Sequence, residues 1–265
     1  MIIAVFGLGE AGSEISAGLA GAGHRVWGYD PRNVPTPPGI TRVSQPEEAV
    51  THADFVFGIT AATDATEALN QALASIPSEA VYADFSTASP GLKKSLAGNA
   101  AARDLAFVDV ALMAPVPGKG INTPVGLSGN GAQALADLLR QVSTPLEIVS
   151  DVPGDAALRK LLRSVMMKGL AALLIEAMRA GNKAGVGDWL WRNMAEQLTV
   201  ADESLLRRLV LGTKQHALRR LHEMEAAGEL LKELDIDPVM TGSTVESLQR
   251  MLDEELPELP LPVSD

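Results

Sequence analysis

The apolar run "IIAVF" (2–6) stops at Gly7-Leu8-Gly9-Glu10-Ala11-Gly12, and the next apolar run, "RVWGY" (25–29), stops at Asp30. Each glycine of this G-x-G-x-x-G pattern has its own physical reason. The first permits a tight turn at a strand end, the second leaves backbone bare for a pyrophosphate, and the third lets helix and strand pack closely. The pyrophosphate then lies at the positive end of the helix dipole, facing amides that lack intrahelical partners. Glycines also mark ordinary turns, so the pattern alone is weak. A strand before it, a helix after it and an acid at the second strand's end are the context of a dinucleotide fingerprint.

Gly7, Leu8, Gly9, Glu10, Ala11 and Gly12 are therefore the expected phosphate-binding turn, with Thr60 as a further cofactor contact. Asp30 is placed to accept hydrogen bonds from ribose hydroxyls and to repel a 2′-phosphate, which favours NAD. Arg32, two residues on, offers a guanidinium to that phosphate and keeps NADP as the alternative.

The first part of the chain repeats the alternation that opens it. Further β-rich runs stand at 40–43, 55–59, 80–85, 107–112, 124–128 and 146–150, with segments of helical character at 10–22, 62–76, 90–103 and 132–142. Strand-helix-strand repetition predicts an α/β Rossmann-type domain with a mostly parallel sheet covered on both faces. The Pro-rich stretch "PRNVPTPP" (31–38) must be loop. At "SDVPGD" (150–155) the character changes, and Ala/Leu/Glu/Arg-rich helices follow to about Leu256. The expected division is a dinucleotide-binding domain at 1–153 and an all-α domain at 154–265, with the active site in the cleft between them. Gly181, Gly185 and Gly187 are expected to break the first long helix and "DIDPVMTGS" (235–243) a later one. The tail, with Pro257, Pro260 and Pro262, reads as extended or disordered.

Composition removes several function classes. Over 265 residues the net charge is -11, which disfavours nucleic acid and anionic membrane as partners, since both need a basic face. There is no cysteine, so disulfides, thiolate metal sites and cysteine nucleophiles are excluded. His24, His52, His216 and His222 have no metal-ligand spacing, and no metal is expected. The most apolar stretch, "VMMKGLAALLI" (165–175), is too short and too charged to span a bilayer and reads as a buried helix. The N-terminus enters a strand without a basic leader, which makes the cytoplasm the expected compartment.

In the first long helix, Lys160, Ser164, Met167, Lys168 and Ala171 share one face. Arg159, Lys160, Arg163 and Lys168 concentrate positive charge in an otherwise acidic chain, and single lysines on such a helix more often snorkel from an edge. A cationic helix beside a dinucleotide site would also grip an anionic substrate. Ser86 and Thr87 either touch substrate or nicotinamide or cap the following helix. Lys119, in "PGKG", lies over the pocket or is simply solvated.

Taken in order, these segments make the chain resemble the β-hydroxyacid dehydrogenase superfamily, which includes 3-hydroxyisobutyrate and 6-phosphogluconate dehydrogenases. "GLGEAG" is similar to that family's nucleotide loop, "ADFSTASPG" (83–91) to its segment beside the nicotinamide, and 109–129 to its substrate loop. Alignment through Glu176-Ala177 puts Lys160 at the position of the family's catalytic lysine. The resemblance implies reversible hydride transfer between NAD(P) and a small, anionic hydroxy acid, with Lys160 as general acid and base. Ser86, Met113, Ala114, Pro115, Lys119, Ser164 and Lys168 are then the candidate substrate contacts. It also implies a homodimer through the helical domain, which would cover the apolar helix.

Two departures mark a divergent branch. Met113-Ala114-Pro115 stands where the family carries Ser-Gly-Gly, and Ser164 where it carries asparagine. Imine or carbonyl reduction on the same scaffold, and non-catalytic nucleotide binding, remain the alternatives.

Overall fold

The computed structural model describes residues 1–261, so Pro262 and the end of the Pro-rich tail lie outside the described residues. Two compact units emerge, Met1–Ser164 and Val165 onward.

The first unit alternates strands and helices. Its elements run β1 (Ile2–Phe6), α1 (Glu10–Gly21), β2 (Arg25–Tyr29), β3 (Thr41–Arg42), α2 (Pro46–Val50), β4 (Phe55–Gly58), α3 (Ala65–Ala72) and β5 (Val81–Asp84). They continue through α4 (Pro90–Ala101), β6 (Ala106–Leu112), a 3-10 turn (Gly120–Asn122), β7 (Val125–Ser128), α5 (Ala132–Gln141) and β8 (Leu146–Ser150). The strands form one sheet in the order β3-β2-β1-β4-β5-β6-β7-β8. Every pairing is parallel except β6 with β7. This is the Rossmann-type arrangement expected from the sequence.

Because both faces are covered, the strands read as continuous apolar runs. Ile3, Val5, Phe57, Ala83 and Val108 enter one core cluster, and Ala4, Phe6, Val56, Tyr82 and Phe107 the other. Strand alternation assigns each residue to its face. The register then lays one row across the sheet, through the last residues of β2, β1, β4, β5 and β7 and the middle of β6: Tyr29, Phe6, Gly58, Asp84, Asp109 and Ser128. The layer beneath is aromatic where Tyr82 stacks on Phe107, ring centroids 6.2 Å apart.

Three elements depart from the expected boundaries. Helix α2 was not anticipated, because at five residues beginning with Pro46 it is too short to carry a helical period. The strand expected at 40–43 shrinks to Thr41–Arg42 at the sheet edge. Helix α6 (Asp155–Lys183) runs through Gly181, where a break was expected. Leu190 packs close to it: a Cβ at Gly181 would sit 2.7 Å from Leu190 Cδ2, the movable end of that side chain. The helix ends two residues later, and Gly185 turns the chain at φ +75°.

The second unit holds the rest of α6 with α7 (Gly187–Thr199), α8 (Glu203–Gln215), α9 (Ala217–Glu233) and α10 (Val239–Met251). The apolar run 165–175 was expected to be buried, yet Val165 is 74% and Ile175 52% exposed within the single chain. A lone α6 has apolar side chains around much of its circumference, more than the small unit's other helices cover. The polar anchor of this unit is Glu176, whose carboxylate is buried at the start of α10. It accepts from Met240 N (2.7 Å), Thr241 N (2.8 Å) and Thr241 Oγ1 (2.7 Å). Burial works to raise this carboxyl, but the Thr241 hydroxyl and the amides of the helix start outweigh it and hold it below the usual range.

A depressed carboxylate stabilises the fold above its unfolded pKa, and that stability is lost as pH falls through the folded value. Glu176→Ala should cost about 2 kcal/mol at neutral pH, mostly the charge-assisted bonds to the helix start. Urea unfolding at pH 7 and at pH 3 checks this: the gap between wild type and variant should shrink at the lower pH.

Candidate functional site

The turn from β1 into α1 is shaped by its glycines. Gly7 adopts φ +91°, in the left-handed region, and its amide donates to Tyr29 O (2.9 Å), tying the turn to β2. A side chain on Gly7 would collide with the Ile59 carbonyl, and one on Gly12 with the Gly7 carbonyl. Gly9 is different. A Cβ there would meet only Arg32 Nη2, at 3.6 Å, so its glycine leaves backbone bare rather than preventing a clash inside the fold. Gly9 also caps α1 without any side-chain hydrogen bond, which leaves the first-turn amides available to a ligand.

These residues wall a cavity of about 420 Å³, bounded also by Tyr29, Asp30, Arg32 and Thr60. Thr60 Oγ1 is buried and has no hydrogen-bond partner among the described residues, which suits a group waiting for a ligand. The bare amides, the orphaned hydroxyl and the glycine cradle fit a dinucleotide.

Asp30 lies at the cavity wall with its side chain fully buried. Its carboxylate accepts from Leu8 N (2.9 Å), Arg32 N (2.9 Å), Arg32 Nε (3.1 Å) and Arg32 Nη2 (3.0 Å). Burial would raise this carboxyl, but the Arg32 guanidinium and the Leu8 and Arg32 amides prevail and hold it below the usual range. Asp30 and Arg32, expected to act in opposition, are thus a bidentate ion pair, with Arg32 outermost at 69% side-chain exposure. The Pro-rich loop behind them is pinned by Arg42, which donates to the carbonyls of Asp30 (3.0 Å), Arg32 (2.5 Å) and Val34. Nothing in the local sequence around Arg42 marks it for this role.

Farther along the same strand ends stands a buried charged network. Lys93 Nζ lies 2.7 Å from Asp84 Oδ2 and 3.0 Å from Asp109 Oδ1, with a hydrogen bond to Asp84 O at 2.8 Å. The approach to Asp109 Oδ1 is an ion contact rather than a hydrogen bond. Lys93 belongs to the buried face of α4, with Leu96 and Ala100. The sequence carried a faint signal for this: one aspartate inside each of two adjacent apolar strands, and a lysine at core spacing on the helix between them.

The network reaches the candidate catalytic helix. Asp109 Oδ2 accepts from Ala157 N (2.9 Å) and from Ser128 Oγ (3.2 Å), and Ser128 Oγ accepts from Ala156 N (3.1 Å). The start of α6 is therefore capped from the sheet. Within its first two turns, Lys160 Nζ donates to Thr87 Oγ1 at 2.9 Å. Ser86 donates to Asp84 Oδ2 (2.7 Å). Neither Ser86 nor Thr87 caps α4. Ser89 does, accepting from Leu92 N at 3.2 Å.

The other expected substrate contacts scatter. Met113 O accepts from Arg163 (2.7 Å) and Met113 N donates to Pro124 O (2.8 Å), so that backbone is already engaged. Ala114 and Pro115 follow in the same loop, which is tethered to α1 through Gly118 N and Glu14 Oε2 (3.1 Å). Lys119 precedes the 3-10 turn and is exposed. Ser164 ends the first unit, and Lys168 lies in the second. Arg159 pairs with Glu147 at 2.6 Å on the surface. Among the described residues no group of His, Cys, Asp and Glu could hold a metal ion, and no helix is long and apolar enough to cross a membrane.

Cradle, cavity and sheet order define a dinucleotide-binding unit of the dehydrogenase type, with ligand groups at the carboxyl ends of parallel strands. Residues 2–122 match the NAD binding domain of 6-phosphogluconate dehydrogenase, and residues 182–251 match DUF1932, a domain of unknown function. Together the two matches make the chain similar to 6-phosphogluconate-dehydrogenase-like proteins, and they fit a divergent branch of them. An uncharacterised 28.5 kDa protein of Methanothermus fervidus is 29% identical over 138 residues, 52% of this chain and 53% of that protein, about half the length of each. A conserved hypothetical protein from Sinorhizobium meliloti 1021 is 29% identical with a TM-score of 0.61, covering 97% of this chain and 92% of that one. An imine reductase from Myxococcus stipitatus, solved with NADP+, shares the fold at 14% identity and a TM-score of 0.81, covering 94% and 93%.

The glycines give a separable pair of outcomes. Gly12→Ala should unfold or strongly destabilise the first unit, because the added methyl collides with backbone. Gly9→Ala should keep wild-type thermal stability within a few degrees and still weaken NADH binding by about tenfold or more, one lost close approach to a charged group. Differential scanning fluorimetry with NADH titration distinguishes the two.

Proposed function

We propose that this protein catalyses NAD(P)-dependent hydride transfer to or from a small hydroxy or carbonyl compound, with Lys160 moving the proton. The observation that carries this reading is the Lys160–Thr87 hydrogen bond of 2.9 Å, made at the strand ends that also bear the glycine turn. When bound, the dinucleotide supplies or takes the hydride. Lys160 gives a proton to the substrate oxygen in reduction and removes it in oxidation. Thr87 holds the amine in place, while Ser86 and the loop at 113–119 orient the substrate. A small hydroxy acid is the primary substrate class, as the resemblance to hydroxyacid dehydrogenases implies.

NAD(H) is the preferred cofactor in this reading. The carboxylate of Asp30 stays ionised at the cavity wall, and the Arg32 guanidinium that would receive a 2′-phosphate is already committed to it. One observation favours a second reading, imine reduction. Met113-Ala114-Pro115 offers no side-chain donor, Pro115 has no amide hydrogen, and the Met113 amide is spent on Pro124. A substrate without a carboxylate needs no such donors.

A panel of hydroxy acids, keto acids and cyclic imines, each run with NADH or NAD and with their phosphorylated counterparts, tests both readings. Turnover of a hydroxy or keto acid with NAD(H) is the expected result, and Lys160→Ala should lower kcat by about 10²-fold while NADH affinity stays within a few-fold. Turnover of imines alone selects the second reading. An active Lys160→Ala enzyme removes the lysine from the chemistry.

The exposed side chains of Val165, Met166 and Ile175, with Trp189 and Trp191, support a homodimer built through the helical unit. Light scattering at micromolar concentration should give twice the chain mass, and a monomer there contradicts the dimer.

A further inference from the structure

We propose that Lys93 is a positioning residue for Lys160, acting through the two carboxylates it holds. The inference rests on the reading of Lys160 given above. Both partners of the Lys160–Thr87 bond hang from the same buried ammonium, by different routes. On one side, Lys93 Nζ binds Asp84 Oδ2 at 2.7 Å and Asp84 O at 2.8 Å. Asp84 Oδ2 also receives the Ser86 hydroxyl at 2.7 Å, fixing the strand end just before Thr87. On the other side, Lys93 Nζ lies 3.0 Å from Asp109, whose second oxygen takes the Ala157 amide at 2.9 Å. Ser128 takes the neighbouring Ala156 amide at 3.1 Å. These amides belong to the first turn of α6, and Lys160 follows within one turn.

Asp84 and Asp109 are register partners on adjacent strands, both fully buried. Two such carboxylates repel unless a cation lies between them. Lys93 supplies that charge from α4 and so sets the spacing of the 84–87 loop against the start of α6. No part of this network enters the dinucleotide cavity, so its effect should fall on Lys160 and not on cofactor binding.

The test reads Lys160 directly, without needing a substrate. Trace acetic anhydride labelling, resolved by mass spectrometry, gives the reactivity of Lys160 relative to Lys119 and Lys183 in the same sample. In Lys93→Met the relative labelling of Lys160 should change at least threefold while the two reference lysines keep their ratio and NADH affinity holds within twofold. Ser128→Ala, which removes only one hydroxyl, should shift it in the same direction and decides the matter if Lys93→Met does not fold. Unchanged Lys160 labelling in a folded variant overturns the proposal. Failure to turn over any substrate would instead count against the functional reading, and the labelling result would stand.

Discussion

The buried ammonium of Lys93 is the interaction on which the geometry of the strand ends depends. A parallel sheet brings Asp84 and Asp109 side by side in the dry row above Tyr82 and Phe107. Tyr82 records how dry that row is, since burial and then the nearby Asp84 charge push its phenol well above its usual range. Two carboxylates there are tolerable only because Lys93 reaches both. Removing one member of a buried ion group costs about 3–5 kcal/mol, a large part of a typical domain's total of about 5–15 kcal/mol. A solvent-exposed pair such as Arg159–Glu147 contributes far less, about 0–1 kcal/mol. The polar atoms that matter for the candidate site are therefore concentrated inside the fold.

From that row outward, two kinds of positioning are at work. The dinucleotide cradle is made by absence: no side chain at Gly7, Gly9 or Gly12, no side-chain cap on α1, and no partner for Thr60 Oγ1 among the described residues. The proposed proton-transfer group is placed by presence, through the chain Lys93–Asp109–Ser128 into α6 and Lys93–Asp84 into the loop before Thr87. Absence costs little stability and leaves room for a ligand. Presence costs desolvation and yields rigidity. Both lie wholly in the first unit.

Much of the first unit was legible because its signals are local. Strands buried on both faces read as apolar runs, and the glycine turn had strand and helix on its two sides, so fold class and turn followed directly. What escaped was non-local. Lys93 sits beside Lys94 in "LKKSL", and only the approach of β5 and β6 decides that one is buried and the other not. Arg42 closes three carbonyls of a loop that comes before it in sequence. Asp30 and Arg32 were visible as residues, but that their side chains pair, with the Leu8 amide as a further donor to the carboxylate, was not. Gly181 looked like a helix breaker because the packing of Leu190 against it has no sequence signature.

In the proposed binding mode, the start of α1 holds a dinucleotide through its own backbone. Amide chemical shifts measured during NADH titration test it most directly. The largest changes should fall on the amides of Gly9, Glu10, Ala11 and Gly12, with Leu8 and Arg32 following as the Asp30 pair adjusts. Saturating NADH that leaves those amides unmoved would contradict it.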